Sequence, residues 1–160
     1  MATSTVPIVL STLFEMFTEA LGDVQVLYGD NGRDAERSNL VLTGDVEYTN
    51  EEWIGIGGQR REETYELDGF VQARSPAMSA QESLETAWDV MAAVETTLRG
   101  LVGPNDGTYP TLSEAVAAAF PGQTAQISDI GFRPKRGKGF PSPDGTDYQI
   151  DFVIEVTARI

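Results

Sequence analysis

The sequence contains no cysteine and no histidine. Without cysteine there is no disulfide framework, no thiolate nucleophile and no thiolate metal ligand. Without histidine the commonest general base and the commonest metal ligand are also missing. Any catalysis would fall to carboxylates, Tyr, Ser, Thr, Lys or Arg. Positive charge is scarce too: 11 basic residues stand against 25 acidic ones, for a formal charge of −14. Such a surface repels phosphate backbones, so wrapping DNA or RNA is disfavoured. Long apolar runs are absent. The N-terminal stretch MATSTVPIVLSTLFEMF has no preceding Lys or Arg and is interrupted by Glu15 and Glu19, so it fails as a signal peptide. No run reaches the length of a membrane span. The expectation is a chain made in the cytoplasm that needs no cofactor, metal or membrane.

A length of 160 residues fits a single domain over 1–160, large enough to bury a core without disulfide or metal staples. Helical spacing places Leu10, Leu13, Phe14, Phe17 and Leu21 on one face of a helix over about 6–21. Thr5 stands at its N-cap, Pro7 in its first turn and Gly22 at its end. A short strand at 24–28 follows, then longer strands at 39–48 and 62–74. In the last of these Tyr65, Leu67, Val71 and Ala73 alternate with Glu66, Asp68 and Gln72, and Phe70 breaks the polar face. Ser79 and Glu82 form a capping box that opens a long helix. Its stripe of Leu84, Ala87, Trp88, Met91, Val94, Leu98 and Leu101 reads as core, Trp88 included. Thr111 and Glu114 open a short helix by the same device. Strands at 124–132 and 148–160 complete the chain. Runs of strands on either side of helices predict an α+β fold, with about five strands in an antiparallel or mixed sheet and helices on one face.

The candidate chemistry is thin. Gly55, Gly57 and Gly58 lack the spacing of a dinucleotide loop. The run Gly131–Gly139 (GFRPKRGKG) misses the phosphate-loop pattern by one residue and has Gly139 where Ser or Thr must hold magnesium. Asp30, Asn31, Asp34 and Glu36 match a calcium loop poorly, since the glycine is misplaced. The pairs Glu51–Glu52 and Glu62–Glu63 read as solvated strand ends rather than as an acid–base couple. No catalytic, cofactor or metal residue is assigned.

Two extended loops carry the candidate protein interface instead. The first, at about 49–61, holds Trp53, Ile54 and Ile56 in a polar context. That cluster either folds onto the core or anchors a partner. The second, at about 133–146, holds Arg133, Lys135, Arg136 and Lys138, which include both lysines of the chain, with Phe140 at its middle. It is either a hairpin tip or a basic arm that docks on an acidic neighbour, such as a further copy of this chain.

The strand Leu40–Gly44 (LVLTG), the segment Val46–Glu52 (VEYTNEE), a long strand ending at Ala73-Arg74-Ser75-Pro76, a helix rich in Glu and Ala, and a C-terminal strand follow in order. In this the chain resembles the tail terminator proteins of long-tailed bacteriophages, the family that includes the lambda terminator. The segment before the last strand is longer than the family pattern. The resemblance implies a structural role and no enzyme activity. It implies a homohexameric ring at the neck of the virion that caps the tail tube, ends its polymerisation and meets the head connector. The partners implied are further copies of the chain, the tube protein and the connector protein, with DNA passing through the channel without sequence-specific binding. The resemblance also admits another head–tail joining protein. The composition alone admits an acidic inhibitor or nucleic-acid mimic for a basic partner, or, as a further alternative, a carboxylate-dependent hydrolase using Glu51, Glu52 or Asp30.

Overall fold

The computed structural model describes residues 4–29, 38–54, 60–74, 79–99, 112–122, 125–142 and 145–160, with 51–54, 60 and 142 described by backbone alone. The elements run α1 (Val6–Ala20), β1 (Gln25–Tyr28), β2 (Asn39–Ile54), β3 (Arg60–Ala73), α2 (Ala80–Arg99), α3 (Leu112–Ala119), β4 (Gln126–Ser142) and β5 (Gly145–Arg159). The strands form one mixed sheet in the order β1-β2-β3-β5-β4. Only β1 and β2 are parallel; the other neighbours are antiparallel. Three helices pack on this sheet, so the fold is α+β, in the element order that periodicity predicts.

The core follows from two periodicities meeting. Every second residue of β3 and β5, from Tyr65, Leu67 and Val71 to Ile150, Phe152, Ile154 and Val156, points to one side and is buried. Val9, Leu13 and Phe17 of α1, Met91 and Val94 of α2 and Val116 of α3 recur at helical spacing and close over that side. Each such large side chain stabilises the fold by about 1.5–3 kcal/mol through burial. All three helices therefore share one face of the sheet, and among the described residues the other face carries none.

The capping box of α2 forms as predicted. Glu82 accepts from the Ser79 amide at 2.9 Å, and Ser79 Oγ accepts from the Glu82 amide at 3.2 Å. Thr111 of the second predicted box lies outside the described residues. The stripe on α2 is rotated from the one predicted. Ser83 and Val90 are buried, whereas Leu84 is 36% and Trp88 45% exposed. The cause is a polar contact: the Ser83 hydroxyl donates to the Thr146 carbonyl at the start of β5, which turns Ser83 inward. Trp88 is thus not a core residue. A Trp88→Ala chain is expected to change stability by less than about 1 kcal/mol, against the 3–5 kcal/mol of a buried aromatic. Urea denaturation followed by far-UV circular dichroism reads the difference, and a loss in the upper range would return Trp88 to the core.

The two extended loops are largely strand. β2 continues to Ile54 and β3 begins at Arg60. β4 and β5 pair from Gln126↔Arg159 to Ser142↔Gly145, with register shifts between Ile127 and Asp129 and between Pro134 and Arg136. Gly and Pro there mislead because β4 is an edge strand, where a missing N–H costs no ladder bond. Gly137 serves a packing need. A Cβ on it would stand 2.5 Å from the Tyr148 hydroxyl, so the tyrosine ring lies over bare backbone.

Candidate assembly surface

Register places the two predicted loops at opposite ends of the sheet. Glu62 pairs with Arg159, and Ala73 with Tyr148. The paired ends of β2 and β3 therefore lie at one end of the sheet and those of β4 and β5 at the other. The fourteen residues of β3 separate them by roughly 40 Å at the rise of an extended strand. The structure thus does not bring Trp53 and Ile54 together with Arg133, Lys135, Arg136, Lys138 and Phe140. Trp53 and Ile54 end β2, paired through the backbone with Arg61 and Arg60. Ile56 lies outside the described residues.

The basic residues line β4, and its residues 133–138 are all exposed. Two of the four cations are committed within the chain. Arg133 reaches across β5 to Glu66 at 3.0 Å, and Lys135 reaches Asp68 at 3.4 Å. Both pairs lie on the helix-free face, flanking Val153, which is only 1% exposed there. Arg133 stands directly opposite Val153 in the β4–β5 ladder. Arg159 and Glu62 pair at 2.7 Å further along the same face, and the Thr64 and Thr157 hydroxyls meet at 3.1 Å. Arg136 and Lys138 make no ion pair among the described residues. The Lys138 ammonium instead stands 5.2 Å from the centre of the Phe140 ring, and Phe140 is 40% exposed.

A depression of about 470 Å³ opens on this face between Thr43, Asp68, Phe70, Lys135, Arg136 and Asp151. Its two cations face two carboxylates, so it offers no net positive cradle for a phosphate. The run Gly131–Gly139 is extended strand, which settles the phosphate-loop question: no helix N-terminus follows it. Among the described residues no group of His, Cys, Asp or Glu could hold a metal, and no helix is long and apolar enough to cross a membrane. Asp30, Asn31, Asp34, Glu36, Gly55, Gly57 and Gly58 lie outside the described residues.

One polar cluster is buried, and it corrects the reading of Glu62–Glu63 as solvated. Glu62 is half-buried against Arg159, while Glu63 is 1% exposed on the helix-covered side. Its Oε1 accepts from the Thr5 amide at 2.7 Å, the Thr5 hydroxyl at 2.5 Å and Ser4 Oγ at 3.1 Å. Its Oε2 takes the Arg61 guanidinium at 3.1 Å. The Thr5 side chain does not cap its own helix; it turns to Glu63 and to the Tyr65 hydroxyl, 2.9 Å away. A carboxylate from β3 thus holds the positive end of α1 on the sheet. The parity of β3 carries the signal: Glu63 shares the face of Tyr65 and Leu67, and only its charge argues for solvent.

Burial, reinforced by the charge of Glu63 and opposed by the bond to Thr5, pushes the Tyr65 phenol far above its ordinary range. The neutral phenol is therefore part of the native state. Its contribution is complete below about pH 10, the unfolded value, and is lost as pH rises beyond it. A Tyr65→Phe chain is expected to lose stability less steeply than the parent above pH 10. Chemical denaturation at closely spaced alkaline pH values measures both slopes, and equal slopes would refute the assignment.

Comparison with known proteins follows from the fold. No family model and no curated protein sequence matches this chain. Among solved structures, a chain from the virion of a native gene transfer agent particle superposes with a TM-score of 0.59 at 14% identity, covering 99% of this chain and 100% of that one. At that identity the likeness is one of fold, and it extends over the full length of both chains.

Proposed function

We propose that this chain is a structural protein of a phage-like virion, and within it the tail terminator. In this role it forms a ring, most simply a homohexamer, that caps the tail tube at the neck, ends its polymerisation and meets the head connector. The observation that carries the reading is the end-to-end likeness to a chain of a gene transfer agent virion. A shared supersecondary motif would match part of each chain; here neither has an element left over. The resemblance of residues 40–52 to tail terminators supports the finer assignment.

The acidity has a use in this setting. DNA passes through the ring's channel, and a wall rich in cations would bind phosphates and retard it. A chain of charge −14, with 11 basic residues against 25 acidic ones, is suited to avoid that trap. The two ends of the sheet, where Trp53 and Ile54 end β2 and where Phe140 lies on β4, are the regions offered to the tube and to the connector. Antibody raised against the purified chain and imaged by immunogold electron microscopy on intact particles tests the placement. Label confined to the junction of head and tail supports it. Label spread along the tail, or absent from particles, overturns it.

A further inference from the structure

The two margins of the sheet are unlike in charge. β1 covers β2 only from Asn39 to Leu42, so among the described residues β2 is the sheet's edge from Thr43 to Ile54. Between Ser38 and Gln59 the chain has four acids, Asp45, Glu47, Glu51 and Glu52, and no Lys or Arg. β4 is the opposite edge along its whole length. Between Asp129 and Asp144 it has four cations, Arg133, Lys135, Arg136 and Lys138, and no acid. In a chain this acidic, segregating the scarce cations on one edge and an unbroken acidic stretch on the other is not what a uniform solubility coat produces. The side chains of Asp45 and Glu47 are exposed and make no ion pair among the described residues, and the same holds for Arg136 and Lys138. Arg133 and Lys135 are spent on Glu66 and Asp68, which keeps the exposed β4 edge fixed to the sheet.

We infer that the basic edge of one copy, at Arg136 and Lys138, docks on the acidic edge of the next copy, at Asp45 and Glu47. This rests on the self-assembly reading above and names the surfaces that carry it. The polarity of the sheet agrees. β2 and β3, β3 and β5, and β5 and β4 are each antiparallel, so β4 runs opposite to β2. Copies in the same orientation, side by side, bring β4 of one antiparallel to β2 of the next. The contact joins two different surfaces, so it propagates head to tail and ends only by closing a ring. It also requires a stagger. The cations lie level with Phe70 and Gln72 of β3 and the acids level with its middle, near Asp68 and Glu66, a shift of roughly 13 Å along the strands. A ring of tilted sheets supplies a stagger of this kind, since closure demands shear. Contact pairs formed in this way are partly desolvated and resist screening better than the long-range repulsion between acidic copies.

The absence of cysteine makes the test clean. In a Glu47→Cys/Lys138→Cys chain the two thiols stand on opposite edges, roughly 14 Å apart across three strand spacings in addition to the stagger, so a short bis-maleimide cannot join them within one copy. Treated at assembly concentration, this chain is expected to give a covalent ladder from dimer to closed ring on denaturing gels. Each single variant stops at dimer. A Glu19→Cys/Lys138→Cys control, with an exposed acid of α1 in place of the edge, gives no ladder. Charge reversal in R136E/K138E is expected to abolish the assembly, and D45K/E47K introduced into the same chain to restore it. Native mass spectrometry of the unmodified chain separates the two readings. A ring without the ladder, or one indifferent to the reversal, overturns this interface and leaves the ring. No ladder and no ring removes both.

Discussion

Replacing Glu63 by alanine is expected to cost about 3–5 kcal/mol, the loss typical of removing one partner from a buried charged pair. Few domains hold more than about 5–15 kcal/mol in total, so the variant should be largely unfolded near body temperature. The size of the effect comes from what the carboxylate satisfies at once. It accepts the Thr5 amide, the Thr5 hydroxyl, Ser4 Oγ and the Arg61 guanidinium, and it is 1% exposed. Without it, the amide of the N-cap residue Thr5 loses its acceptor, and the anchor between α1 and β3 is gone. Glu63→Gln keeps one acceptor oxygen and should cost about half as much, with the charge-assisted share removed. Equilibrium urea unfolding at neutral pH measures both. A loss below about 1 kcal/mol for the alanine chain would show that water replaces the carboxylate, against the geometry.

Gly69→Ala is the second large effect, from a change of one methyl group. Gly69 sits on the buried face of β3, opposite Phe152 of β5. A Cβ there would stand 2.5 Å from the end of the Phe152 ring and 2.9 Å from the Val41 carbonyl oxygen. Neither neighbour can retreat freely: the ring is buried at 0% exposure, and the carbonyl belongs to β2. Overpacking of this kind costs about 1–3 kcal/mol. Shrinking the ring separates the two clashes. In a double-mutant cycle with Phe152→Leu, the pair should be more stable than the sum of the single losses by about 1 kcal/mol, but not fully restored, because the carbonyl remains. Strict additivity would mean that the backbone, not the ring, takes the strain.

These two positions show where the sequence was readable and where it was not. The order of helices and strands followed from period-2 and period-3.6 patterns and from the Ser79–Glu82 box, and the structure has that order. Strand ends were less legible. Residues 133–146 read as loop because Gly and Pro are loop formers, yet β4 runs to Ser142 and β5 begins at Gly145, and an edge strand tolerates both residue types. Gly69 carried no sequence sign of the ring above it. At Glu63 the charge argues for solvent while the parity of β3 argues for the core, and at Trp88 the rotation of the helix depends on a hydroxyl five residues away, on Ser83. The segregation of charge at the two sheet edges was present in the composition of each segment. It became a surface only when the strand order put β2 and β4 on opposite margins.

Sedimentation velocity of the unmodified chain at fixed protein concentration, over salt from about 0.05 to 0.5 M, tests most directly whether it is a ring-forming protein. Each copy carries −14, so long-range repulsion opposes association and weakens as the screening length shortens across that range. The account predicts one closed oligomer whose share rises with salt. A monomer throughout, or an assembly that tightens as salt falls, would contradict it.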